Sequence, residues 1–198
     1  TVLTLAPSII ILMTSFTRLV VIFGLLRTAL GMQGSPPNQV IVGLSLFLTV
    51  FIMYQPLNTI NEQALQPYLE GEITQDIAFE RAAGPIRGFM LGQVRQKDLM
   101  LFMDLSGTTQ YASADDVPLH VLVPAFVISE LRIAFQIGFM LFLPFVVVDL
   151  LVSSVLMSMG MMMLPPIMIS LPIKLLLFVL TDGWYLIVES VVSGYLLT

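Results

Sequence analysis

Cysteine is absent from the 198 residues, only one histidine (His120) and one tryptophan occur, and charged residues make up 11% of the chain. Without cysteine there are no disulfide staples and no thiolate metal sites. A lone imidazole beside Asp115 and Asp116 has no second imidazole with which to make a metal site. The motifs HExxH, GxSxG, GxxxxGK[ST] and GxGxxG are all missing, so catalysis is not expected and no cofactor is implied. A net charge of −5 argues against nucleic acid as a partner. The scarcity of charge is the most informative of these deficits. Soluble domains run nearer 25% charged, whereas here apolar residues reach 57% and mean hydropathy is +0.96, so membrane lipid is expected to contact part of the surface.

The few charges are unevenly placed. Residues 57–118 hold nine of the thirteen acids against four of the eight bases, leaving the flanks almost uncharged. Three zones follow: an apolar helical hairpin (1–56), an acidic amphipathic segment (57–118), and a longer apolar zone of kinked helices (119–198). Positive-inside bias does not hold back an acidic segment, so the middle zone is expected on the periplasmic side and Arg18 and Arg27 toward the cytoplasm. The first residue, Thr1, is compatible with an N-terminal segment having been removed, although residues 9–13 followed by Arg18 do not read as a signal-peptide core.

No strand alternation or fixed-period repeat is present, and the expected fold class is all-α. A helix of about 36 Å fits between Pro7 and Gly31. Asn38 is a candidate N-cap for a second helix that ends at Tyr54, before Pro56. Thr74 is a candidate cap for an amphipathic helix that Gly84, Pro85 and Gly88 are expected to interrupt, and residues 98–105 form a short helix. Next comes a helix over 124–158 with a kink at Pro144. Another starts at Pro165-Pro166 and runs to Leu180, and a terminal helix follows the breaker Asp182-Gly183.

These apolar segments are not ordinary lipid-facing spans. Arg18, Glu130, Arg132, Asp149 and Lys174 sit within them, and each charge costs roughly 2.5–3.5 kcal/mol at a bilayer centre. Residues 38–54 are uncharged but reach only about 25 Å, short of a roughly 30 Å hydrocarbon core. Glu130 and Arg132 are two apart and cannot pair with each other on a helix. Their partners are expected on other helices or other subunits. Lys174 has a stem long enough to snorkel instead, whereas Glu130 and Asp149 do not.

The strongest positive signal is Met157-Ser158-Met159-Gly160-Met161-Met162-Met163-Leu164-Pro165-Pro166. Six of thirteen methionines fall within 157–168. Methionine is unbranched and flexible, so such side chains can close around objects of different shape. Filling an apolar core is the alternative, and it suffices for Met13 or Met53. Three in a row beside glycine and two prolines point in three directions, which favours a lining on a loop or helix end.

The stretch Pro124-Ala125-Phe126-Val127-Ile128-Ser129-Glu130-Leu131-Arg132-Ile133-Ala134-Phe135-Gln136-Ile137-Gly138-Phe139 resembles the signature of the FliP family of flagellar type III export-gate proteins, related to the SctR family of virulence injectisomes. So do Pro144-Phe145-Val146-Val147-Val148-Asp149, the methionine run, and Ile169-Ser170-Leu171-Pro172-Ile173-Lys174. The resemblance implies a bacterial inner-membrane subunit of the flagellar basal body export apparatus. It implies several copies, five in the family, assembling with FliQ-like and FliR-like subunits into a pore-like helical complex that passes unfolded flagellar proteins. It also implies that Met161, Met162 and Met163 form the gasket of the closed pore and that a signal peptide is cleaved. Gly160, Pro165 and Pro166, which break the helix around the run, are the expected loop positions, and Pro144 the expected hinge. The alternatives are an injectisome homologue, a proton-coupled transporter using the buried charges, or a structural scaffold.

Overall fold

A computed structural model describes residues 8, 10–32, 34–107, 117–161 and 164–196. Among the described residues all regular structure is helical. The helices are α1 (Phe16–Ala29), α2 (Asn38–Ile52), α3 (Tyr54–Ile60), a π-helical turn (Asn61–Leu65), α4 (Gln66–Leu69), α5 (Gln75–Gln93), α6 (Gln96–Leu105), α7 (Leu119–Ser158), α8 (Pro166–Leu180) and α9 (Gly183–Leu196). The chain divides into two compact units. One comprises the described residues up to Arg18 and Leu46–Arg132; the other comprises Leu19–Ser45 and Ile133 onward.

In the first unit the core is Met90 from α5 with Val117, Val121, Leu122 and Phe126, and the Phe89 and Phe126 rings meet edge to face at 6.0 Å. Burying each of the larger side chains contributes roughly 1.5–3 kcal/mol. α5 runs through Gly84, Pro85 and Gly88 without a break, against the expected interruption. One proline removes one helical hydrogen bond, and a glycine costs about 1 kcal/mol; burial of Met90 opposes that local cost. The helix expected from Pro7 is, by contrast, broken at residues 13–15. Thr14 Oγ1 donates to the Ile11 carbonyl (2.6 Å) and accepts the Phe16 N–H (3.3 Å), and such local bonds compete with the helical ladder. α2 ends before Pro56, at Ile52, two residues short of the expected Tyr54. Pro56 lies in the first turn of α3, where a missing N–H is tolerated, and the chain bends by 59° between Ile52 and Tyr54 and continues helical to Leu69.

The second unit packs around α1, which buries Leu19, Ile22, Phe23 and Leu26 on one face, the spacing of an apolar helical stripe. Arg27 donates to Asn38 Oδ1 (2.5 Å), so the Asn38 side chain holds α1's last turn rather than capping α2. Gly31, at φ +77°, ends α1 with the Met32 N–H on the Arg27 carbonyl and the Gly31 N–H on the Thr28 carbonyl, the paired bonds of a Schellman cap. Phe178 stacks edge to face on Trp184 at 5.5 Å and lies 6.4 Å from Phe145. It supports the 62° bend between α8 and α9.

At Gly138, α7 packs tightly against Leu25 of α1. A Cβ there would stand 3.2 Å from Leu25 Cβ, an atom fixed to the backbone. Gly138→Val should therefore overpack the contact and cost about 1–3 kcal/mol. A thermal melt of the detergent-solubilised protein checks this, and an unchanged midpoint would mean that the helices separate freely there.

α7 begins at Leu119, five residues before the expected start, because the Pro118 carbonyl accepts the Val121 and Leu122 N–H groups at 3.0 Å. It continues through Pro124 and Pro144 for 40 residues, about 60 Å, or about twice a bilayer's hydrocarbon core. It is the one described helix long and apolar enough by itself to cross a membrane; each of the two bent pairs, Asn38–Ile52 with Tyr54–Leu69 and Pro166–Leu180 with Gly183–Leu196, could make one more span. Only 11% of α7's most apolar stretch is buried within the chain, so lipid or other polypeptide must cover the rest.

Candidate functional site

One buried ion pair, one half-buried ion pair and one exposed turn gather most of the sequence-predicted positions. The first pair lies in the first unit. Arg18, near the start of α1, donates from Nε to Glu130 Oε2 at 3.0 Å and from its terminal nitrogen to Glu130 Oε1. It also donates to Gln93 Oε1 at 3.3 Å. Arg18 is 4% exposed and Glu130 0%, so this forked contact is removed from water, where charge-assisted bonds are strongest and an orphaned charge is costliest. The neighbouring Ser129 hydroxyl donates to Asp98 Oδ2 (2.8 Å) and accepts the Arg95 N–H (3.0 Å). Asp98 is the third residue of α6, the position from which a capping-box carboxylate reaches back to the helix start. Here Ser129 stands between the carboxylate and that N–H and ties α6 to α7. Ser129, Asp98 and Gln93 escaped the sequence reading, since only the first-turn position of Asp98 signals a cap.

The second pair lies in the second unit. Lys174 Nζ donates to Asp149 Oδ2 at 2.6 Å and to the Ala29 carbonyl at 3.3 Å. Ala29 is the last residue of α1, so its carbonyl belongs to the electronegative helix end that favours a cation. Lys174 is 3% exposed and does not snorkel. Arg132, by contrast, is exposed, as is Pro144.

Asp149 and Lys174 sit on the two helices that flank the methionine run. α7 ends in a second Schellman cap. Gly160, at φ +74°, donates to the Met157 carbonyl and Met161 to the Leu156 carbonyl, both at 3.0 Å. The chain re-enters helix with Pro165 extended ahead of Pro166, the first residue of α8. Met157 and Met159 are each 65% exposed, and Met161 and Leu164 are exposed too. Core filling is excluded for these side chains within the isolated chain. Met162 and Met163 lie outside the described residues. Among the described residues no group of three His, Asp or Glu side chains could hold a metal ion.

The FliP family profile matches residues 1–191. The chain belongs to the FliP family. It is 55% identical over 195 residues to the flagellar biosynthetic protein FliP of Bacillus subtilis, covering 98% of this chain and 88% of that one. The Caulobacter vibrioides protein of the same name is 54% identical over 98% of this chain and 73% of its own length. That of Cereibacter sphaeroides is 50% identical over 98% and 65%. Membership in the FliP family agrees with the motifs in α7 and α8, which carry Glu130, Asp149 and Lys174 and flank the methionine turn.

Proposed function

We propose that this FliP-family chain is a non-enzymatic, channel-forming subunit of the flagellar export gate in the bacterial inner membrane. Several copies, five by the family's pattern, surround a pore with FliQ-like and FliR-like subunits. Unfolded flagellar proteins pass through it, and the acidic segment faces the periplasm. The observation that carries this reading is the exposed methionine turn held between two apolar helices. An apolar, flexible cluster left in the open at a glycine-capped helix end has no role in a lone chain. It suits a deformable seal formed by several copies. The sparse burial of α7 supports assembly in the same way.

Replacing Met161, Met162 and Met163 together by alanine should leave the assembly intact on a native gel and make cells or proteoliposomes leak ions and small solutes. Alanine shortens each side chain beyond Cβ, so a closed ring would open by several ångströms without any change of charge. A tight triple variant would sink the seal. A transporter would respond instead to changes at Glu130, Asp149 or Lys174, and a scaffold to neither set.

A further inference from the structure

Away from the methionine turn, the first unit carries a hollow of about 300 Å³ between α5 and the segment running from α3 through the π turn to α4. Its lining includes Ile60, Ala64, Tyr68, Ala78, Phe79 and Ala82. The alanines leave the space, and the larger residues wall it. On α5 the lining positions 78, 79 and 82 follow helical spacing. On the other side the π turn, where the Gln66 N–H bonds back to the Asn61 carbonyl, shifts the helical register so that Leu65 joins Ala64 in the lining. Phe79 is 67% exposed and Leu65 48%, and Leu57, Leu69 and Ile77 of the same segment are exposed too.

The surroundings are strongly acidic. Between residues 54 and 82 there are five acids, Glu62, Glu70, Glu72, Asp76 and Glu80, all exposed, against the single base Arg81. Arg81 donates to the Gln63 carbonyl at 3.4 Å. Asp76 and Glu80 lie one turn apart on α5, each next in sequence to a lining position. A second copy presenting this same acidic face would be repelled, and so would an anionic lipid surface.

From this combination we infer that the hollow is a docking groove for an amphipathic helix of another protein with net positive charge. The helix's apolar anchors enter between the alanines and its basic flank faces Asp76 and Glu80. The site is separate from the methionine turn and does not depend on the pore reading.

Two fluorescein-labelled peptides of about 16 residues, roughly 24 Å of helix, test it. They share one leucine stripe and carry lysine or glutamate elsewhere. Anisotropy is read against the full chain in a neutral maltoside detergent at low salt. The lysine peptide should bind saturably and the glutamate peptide about tenfold more weakly or not at all. Ala78→Phe fills the hollow and should weaken the lysine peptide by about tenfold. Asp76→Lys with Glu80→Lys, two surface changes that spare the fold, should reverse the preference, so that the glutamate peptide binds about tenfold more tightly than the lysine peptide. Equal binding of both peptides, or a lysine peptide indifferent to the charge reversal, overturns the inference. So does a loss of oligomer mass on Ala78→Phe, which would make a second copy the occupant. If Ala78→Phe fails to fold, the charge-reversed variant decides alone.

Discussion

Glu130→Ala should cost about 3–5 kcal/mol of stability, enough to remove most of the folded chain from a native gel. The change takes the forked carboxylate from the Arg18 guanidinium, 4% exposed, and breaking a buried pair by removing one partner is penalised on that scale. Domains hold only about 5–15 kcal/mol in reserve. Glu130→Gln keeps one acceptor and should fall between parent and alanine. The double change Arg18→Met with Glu130→Leu removes both charges and fills much the same volume, and it should recover most of the lost stability, because apolar replacement of a buried pair is often neutral or favourable. Melting followed through Trp184 fluorescence orders the four proteins. If Glu130→Ala melts with the parent, the pair has no structural weight and the charges must act elsewhere.

How much of this could be read from residues alone depended on the range of the interaction. The all-α character, the helix after Pro165-Pro166 and the stop at Asp182-Gly183 are set by local chemistry, and the sequence pattern carries them. Asp182 adopts φ +52° there, and the Leu186 N–H returns to its carbonyl at 3.1 Å. That Glu130 cannot pair with Arg132 is also local, a matter of helical spacing. Its actual partner, Arg18, lies 112 residues away, and no periodicity in one sequence selects it from among the other cations. The break at Thr14 turns on one hydroxyl choosing backbone partners, in a composition otherwise fit for a helix. The continuity of α5 through Pro85 is the converse case, with a local breaker overruled by burial of Met90 and its neighbours. Gly138 looked like any other apolar-helix glycine until Leu25 was placed against it. The methionine turn was legible because glycine, two prolines and the methionines all act within a few residues of one another.

Asp149→Ala should be the more damaging of the two single changes at the second pair. It strands the Lys174 ammonium, 3% exposed, with only the Ala29 carbonyl 3.3 Å away, and should approach about 3 kcal/mol. Lys174→Met keeps the stem's packing and leaves behind a carboxylate whose side chain is 40% exposed, so it should cost less than about 2 kcal/mol. The exchange Asp149→Lys with Lys174→Asp separates a simple pair from an anchored one. It restores opposite charges but places a carboxylate against the Ala29 carbonyl, at the electronegative end of α1. If the ammonium's bond to α1 matters, the exchanged protein melts no higher than Asp149→Ala; full recovery would reduce Lys174 to a counter-ion. Because this contact joins α1 to both stems of the methionine turn, loosening it should also raise leakage in the assembled gate with Met161–Met163 untouched. Leakage that follows the melting order of these variants would tie the seal to its stems, whereas leakage from the triple alanine protein alone would confine it to the methionines.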